Sequence, residues 1–297
     1  MNTSAVQLSA SLAHFKLQTL GSMTGAAGDF DAIFASVLGL PFAEQARGSS
    51  DLLSAVIQNR AVKPDAMHAG RNMSLPDPES AYKMMTVINN KDVLYKAQFS
   101  ELNELGAAVS GMQEAGESLA GITAATDNDS IKTGLLDFAE RYNDWIHRFA
   151  DDLRGGGLLA GTQAAEISQY ELEQSVKNVF NGIHSGFHGL ADLGVTVEPG
   201  SRLLSLDGAK LDAALARSKA GVVETVREFS SNFVKSASLL NSEDNFIPNQ
   251  LDNLNRAIHY ISDNGDSLRA EFGTGDAAKP SGKVAQALEA YRRNYGN

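Results

Sequence analysis

The sequence predicts a mainly α-helical protein: an antiparallel helical bundle or coiled coil carrying one small β-hairpin. Three observations predict it. Apolar residues recur on alternating three- and four-residue steps through several long segments, which is the period of a helix face. Strand-like alternation is confined to one stretch, ADLGVTVEPGSRLLSLDGAKLDAAL (Ala191 to Leu215). The chain has 297 residues, 43% of them hydrophobic, so one or two domains can bury a real core.

In residues 1–79, short apolar segments (AVQLSASLAHFKLQTL, DFDAIFASVLGLPF, SDLLSAVIQNRAV) are separated by glycines at 21, 25, 28, 39 and 48. SLPDPES (Ser74 to Ser80) closes the region, and its proline pair disfavours helix. These residues read as an N-terminal extension, loosely packed or partly disordered until it meets a partner. From Ser80 the character changes. Leu102, Leu105, Val109, Met112 and Leu119 form a heptad seam, with Gly116 at the skipped position. The seam fits either one amphipathic helix against a core or a true coiled coil, over 80–122.

TDNDS (Thr126 to Ser130) is polar and rich in N-cap residues. The helix it starts has the clearest seam in the chain: Ile131, Leu135, Phe138, Tyr142, Trp145, Phe149 and Leu153. Its tryptophan, the only one, is assigned to burial by that position. RGGGLLAG (Arg154 to Gly161) ends the helix with glycines that can adopt positive φ. A third helix is expected through Ile167, Leu172, Val176, Phe180, Ile183, Phe187 and Leu190, leading into the hairpin.

In the hairpin Val195 and Val197 alternate with polar neighbours, Glu198-Pro199-Gly200-Ser201 turns, and Leu203, Leu204 and Leu206 return. Asp207 then caps a helical run with Leu211 and Leu215 on one face. Further helical segments are GVVETVREFSSNFVKSASLL and PNQLDNLNRAIHYI, the latter with a short heptad of Leu251, Leu254, Ile258 and Ile261. GTGDAAKPSG (Gly273 to Gly282) is a linker by composition, and KVAQALEAYRRNY a last helix.

Few residues offer chemistry. The chain has no cysteine, which excludes disulfides, thiolate catalysis and cysteine-bound metals. Its formal net charge of -11, with no basic stripe, argues against nucleic acid. No apolar run approaches the roughly 18–20 residues that cross a bilayer. MNTSAVQLSASLAHFK lacks a basic n-region before an apolar core, so no cleavable Sec-type signal is expected. His184 and His188 have the four-residue spacing of a zinc pair, but no Glu lies between them and the other histidines suggest no third ligand. A polar face beside the glycines at 182, 186 and 189 is the favoured reading. Asp127 to Ser130 starts like a calcium loop yet lacks the later Gly and Glu, which leaves a helix cap. With no phosphate-cradling loop and no nucleophile motif, no catalytic, cofactor-binding or metal-binding residue is expected.

At the hairpin the sequence resembles a known family. LADLGVTVEPGSRLLSLDGAKLDAAL is similar to the most characteristic segment of the bacterial flagellar filament cap proteins, the FliD family. There a helix ends in an "sLadlGi" phrase, a short hairpin follows, and "lslDeakLdaAL" starts the next helix. IKTGLLDFAERYNDWI resembles the family's "ikdFvdaYNaLi" helix, with Phe138, Tyr142 and Asn143 in place. GLLAG (Gly157 to Gly161), VVETVREF ending in Phe229, LDNLNRAIHYISDN and LRAEF (Leu268 to Phe272) follow in family order. The resemblance covers roughly 80–297 and is most specific between about 131 and 229. It marks Phe138, Tyr142, Asn143, Trp145, Leu206, Asp207 and Leu211 as the family-motif core. Two departures stand out. Only Gly121 to Ser130 lies where the family carries large variable domains, and residues 1–79 have no counterpart.

The resemblance implies a helical cap-like core over 80–297. It comprises an N-terminal helix at 80–122, an inner domain at 131–247 with the hairpin at 193–206, and C-terminal return helices at 248–297. It implies a non-enzymatic, self-associating flagellar protein, exported without a cleavable signal and cytoplasmic before export. Such a protein promotes flagellin assembly at the filament tip by steric templating. Loss of the outer domains leaves an alternative open, a binding module or regulator that binds flagellin, an export chaperone or a full-length cap subunit. The expected self-association seam is Leu102, Leu105, Val109, Met112 and Leu119 with Leu251, Leu254, Ile258 and Ile261. No cofactor is expected, and the partners are other copies, flagellin and an export chaperone.

Overall fold

The computed structural model describes residues 69–180 and 186–296. Helix α1 spans Pro78–Ala120, α2 Asn128–Phe149 and α3 Gln163–Lys177. A short 3-10 turn at Leu190–Leu193 leads into strands β1 (Val195–Val197) and β2 (Leu204–Leu206). Then come α4 (Gly208–Leu240), α5 (Phe246–Asp263), α6 (Gly265–Phe272) and α7 (Gly282–Tyr295). The described residues are thus mainly helical with one two-stranded antiparallel sheet, the expected fold class. They divide into two compact units. One falls within Met1–Glu101, Gly156–Gly161 and Gln250–Asn297, the other within Leu102–Gly155 and Thr162–Asn249.

The second unit is built on the seams read from the sequence. In α1, Leu102, Leu105, Val109, Met112 and Leu119 are all buried. Gly116, at the skipped position, lets α4 come close: a Cβ there would stand 3.0 Å from side-chain atoms of Phe233 and Val234. The Ser230 hydroxyl uses the same approach to donate to the Gly116 carbonyl at 2.8 Å. Asp127 caps α2, accepting from the Ser130 N–H and hydroxyl, each at 2.8 Å. Ile131, Leu135, Phe138, Tyr142, Trp145 and Phe149 then face the core. Phe138 stands edge-on to Phe229 and Phe233 of α4, with centroids 5.2 and 5.0 Å apart. The helix stops at Phe149, so Leu153 lies beyond it.

The third helix is shorter than its apolar spacing predicts. It ends at Lys177, Asn178 is extended, and the Phe180 N–H donates to the His188 carbonyl at 2.7 Å. Gly186 and Gly189 hold positive φ nearby, and a side chain on Gly189 would meet the Asn178 carbonyl at 2.6 Å. Phe180, Phe187 and Leu190 are buried all the same. Their spacing records burial, which residues beyond the helix end achieve as well as helical ones. Ile183 and His184 lie outside the described residues.

In the first unit, Asp77 caps α1 by accepting from the Ser80 N–H at 3.1 Å, with Pro78 as the first helical residue. A proline costs least at that position, because its missing N–H has no helical acceptor. The expectation that the proline pair keeps Ser74 to Ser80 out of helix therefore holds only up to Asp77. Leu94, Ala97, Leu158 and Ala287 form a small core with Val284 against it. Gln98 donates to the Leu158 carbonyl at 3.0 Å, which fixes the GLLAG loop in this unit.

The segment read as a linker by composition is fastened over its first half. The Thr274 N–H donates to Gly70 at 2.7 Å, and Asn89 donates to the carbonyls of Thr274 and Asp276 at 3.0 and 2.8 Å. The Asp276 N–H donates to the Thr86 hydroxyl at 2.8 Å, and Tyr82 donates to the Asp276 carboxylate at 2.9 Å. Composition signals that a segment can be flexible, and here the polar side chains of α1 bind its backbone.

Candidate functional site: the clamped hairpin and the buried seams

The hairpin pairs Val195 with Leu206, Thr196 with Ser205 and Val197 with Leu204. Gly194 makes its entry possible. Its φ is +92°, and a Cβ would stand 2.6 Å from the carbonyl of Asp207, whose N–H donates to Gly194 at 2.9 Å. At the far end Glu198 and Leu203 share a 2.8 Å bond, and Arg202 turns at φ +63° while donating to the Glu198 carbonyl. The turn therefore reaches Arg202, one residue past the Glu198–Ser201 stretch suggested by the Pro-Gly pair.

Three residues per strand make a marginal hairpin by themselves. Support comes from α2. The Asn143 side-chain amide donates to the Leu204 carbonyl at 3.0 Å and accepts from the Leu204 N–H at 2.7 Å. One amide thus takes both edge groups of Leu204, as a neighbouring strand would. Arg202 lies 3.9 Å from the Glu173 carboxylate of α3, which also pairs with Lys177. Asp207 accepts from the Lys210 N–H at 3.1 Å, capping α4, and Lys210 reaches back to the Ala191 carbonyl at 2.8 Å.

The family-motif residues have structural roles around the hairpin and the core, of which sequence reasoning assigned the Asp207 cap and the burial of Trp145 but not the Asn143 clamp. Asn143 holds β2, Asp207 joins β2 to α4, Leu211 is fully buried, and Leu206 is half-buried. Tyr142 and Trp145 line the core one turn apart, with ring centroids 6.3 Å from each other. Neither the Tyr142 hydroxyl nor the Trp145 indole N–H has a hydrogen-bond partner among the described residues. Burial, reinforced by the nearby Glu173 carboxylate, pushes the Tyr142 phenol well above its ordinary value.

Of the expected self-association seam, Leu102, Leu105, Val109, Met112, Leu119, Leu254, Ile258 and Ile261 are buried within the chain, and Leu251 is half-buried. These side chains already have neighbours in one copy. The large apolar side chains left exposed are others, among them Leu136, Tyr170, Val179, Leu239, Phe246 and Tyr295.

His188 sits in the loop after α3, its N–H donating to the Asp192 carboxylate at 2.7 Å. The described residues hold no group of three or more histidine, aspartate or glutamate side chains placed for a metal. None of their helices is long and apolar enough to cross a membrane. A shallow groove lined by Ala124, Ala220, Val223, Glu224, Arg227 and Glu228 holds two carboxylates and a guanidinium, with no nucleophile beside them. Sequence reasoning missed the Glu173–Arg202 contact and the bonds around Asp276. One signal was available: Asp77-x-x-Ser80 repeats the capping spacing of Asp127-x-x-Ser130.

Comparison with known proteins bears on these same residues. A family model described as flagellar hook-associated protein 2 C-terminus matches residues 108–274, a span that contains the hairpin and its clamp. Flagellar hook-associated protein 2 of Escherichia coli O157:H7 is 21% identical over 172 residues, covering 49% of this chain and 37% of that protein. The protein of the same name from Escherichia coli strain K12 is 21% identical over 172 residues, covering 49% and 36%. The match thus spans little more than a third of those relatives. No solved structure matches significantly.

Proposed function

The chain belongs to the flagellar hook-associated protein 2 C-terminus family, whose model matches more than half of it, and on that premise we propose a non-enzymatic, self-associating cap component that promotes flagellin assembly at the filament tip. The mechanism is steric. Copies arranged at the growing end hold incoming flagellin while it folds into place. Residues 80–297 form the cap-like core in this reading, and residues 1–79 are an N-terminal extension whose described end is bonded to that core through Gly70, Asn72 and Asp77.

The observation that supports the reading most is the family match running through the hairpin clamp. In that span, motif residues such as Asn143 and Asp207 keep structural roles and gather no catalytic set. The proposed route is export without a cleavable signal, followed by residence on the flagellum. Deleting the gene tests the role: the mutant should shed unassembled flagellin into the medium, and the intact gene should restore filaments. Normal filaments in the deletion strain contradict it.

A second reading has one observation in its favour. Between α1 and α2 the chain makes a short closed turn, with the Thr123 N–H donating to the Thr126 hydroxyl at 3.0 Å and Ile122 to the Leu119 carbonyl at 3.1 Å. No outer domain is inserted there, so the chain could act as a regulator that binds flagellin, an export chaperone or a full-length cap subunit. Capture of one of these by a chain that stays monomeric supports that alternative.

A further inference from the structure

We propose that α7 is exchanged between copies, the last helix of one chain seating in the apolar socket of the next; this rests on the self-association reading and deepens it. The socket is small. It consists of Leu94 and Ala97 on α1 and Leu158 from the GLLAG loop, and α7 fills it with Ala287 and the half-buried Val284. Phe99 completes it, standing edge-on to Tyr291 and Tyr295 at 5.8 and 5.2 Å, although Tyr295 is 49% exposed. Among the described residues of α7 only Ala287 and Leu288 are buried, a small apolar footprint for a 14-residue helix.

Detachment would start at a defined place. Up to Asp276 the preceding segment is bonded to Thr86, Asn89 and Tyr82. Residues 277–281 follow, with no hydrogen bond to α1 among the described residues. Gly282 then turns at φ +54° in open space. Five extended residues span about 17 Å, enough to carry a helix away while the fastened part stays in place. Exchange of an identical element is a low-cost route to association, because each socket recovers the contacts it lost.

Charge lets α7 seat on either copy. Helix α7 carries Lys283, Arg292 and Arg293 against Glu289, a net +2 in a chain of formal net charge -11. The acidic body of a second copy therefore attracts this helix as its own chain does.

The absence of cysteine makes the test clean. Full-length Ala97→Cys and Ala287→Cys variants are mixed at a concentration where the protein associates, then oxidised or treated with a short bismaleimide. Exchange predicts a covalent dimer at twice the 31.6 kDa chain mass, absent when either variant is treated alone. In the double variant A97C/A287C, oxidation when dilute should join α7 to its own socket. That locked form should stay a single chain where the reduced form associates. Leu94→Cys with Val284→Cys repeats the test should the alanine variants be poorly folded. Association without a cross-linked mixture, or a locked form that associates like the reduced one, overturns exchange and leaves the self-association reading intact. A parent chain that never associates removes both.

Discussion

Asn143 carries the most specific energetic prediction. In the Asn143→Ala variant two hydrogen bonds to Leu204, at 3.0 and 2.7 Å, disappear together. Each is worth about 0.5–1.5 kcal/mol net, and leaving the half-buried backbone groups of Leu204 short of partners pushes the sum to the upper end. The expected loss is about 2–3 kcal/mol. At about 2–4 °C per kcal/mol for a unit of this size, the melting temperature should fall by roughly 4–12 °C. Asn143→Asp should recover little, because it keeps an acceptor for the Leu204 N–H but sets a carboxylate against the Leu204 carbonyl. Urea unfolding gives the free energy, and amide exchange at Leu204 locates it, since an opened hairpin edge loses protection there first. An alanine variant that unfolds like the parent, with Leu204 still protected, would refute the claim that one side chain holds the hairpin.

Other outcomes follow from the same packing. Phe138→Ala removes the ring that stands against Phe229 and Phe233 and should cost about 3–5 kcal/mol by urea unfolding, with similar loss for Trp145→Ala. Tyr142→Phe should be neutral or raise stability by up to ~1 kcal/mol, because the buried hydroxyl it deletes has no partner among the described residues. A clear loss would mean that the hydroxyl is bonded in solution. The carboxyls of Glu79, held low chiefly by its bond from Arg71, and of Asp77, held low by Ser80, add stability above their ordinary titration range. That contribution should fade as pH falls below about 4, toward their depressed folded values. In a melting series against pH, Glu79→Gln should flatten the acid slope.

The seams of α1 and α2 were legible because a heptad pattern and burial coincide there: nearly every residue named from spacing lies inside. The hairpin was legible for a related reason, since alternation and a Pro-Gly turn have no helical reading. The third helix ends sooner than its spacing predicts because Phe180, Phe187 and Leu190 keep a helix-like spacing and are buried while lying beyond its end at Lys177, Leu190 in the 3-10 turn. Spacing cannot tell those cases apart. The Asn143 clamp was hidden for another reason. An asparagine on a helix looks the same in sequence whether it meets water or, 61 residues away, the edge of a strand. The fastening of Gly273 to Asp276 was equally long-range, its partners Thr86 and Asn89 lying some 190 positions earlier.

The claim that copies of this chain assemble is tested most directly by light scattering on the purified full-length protein. A concentration series at low and high salt is required. Copies of net charge -11 repel one another, so salt that screens this repulsion should strengthen assembly. The account predicts a mass that rises above 31.6 kDa with concentration, and rises further in high salt. A single-chain mass at tens of micromolar under both conditions would contradict it.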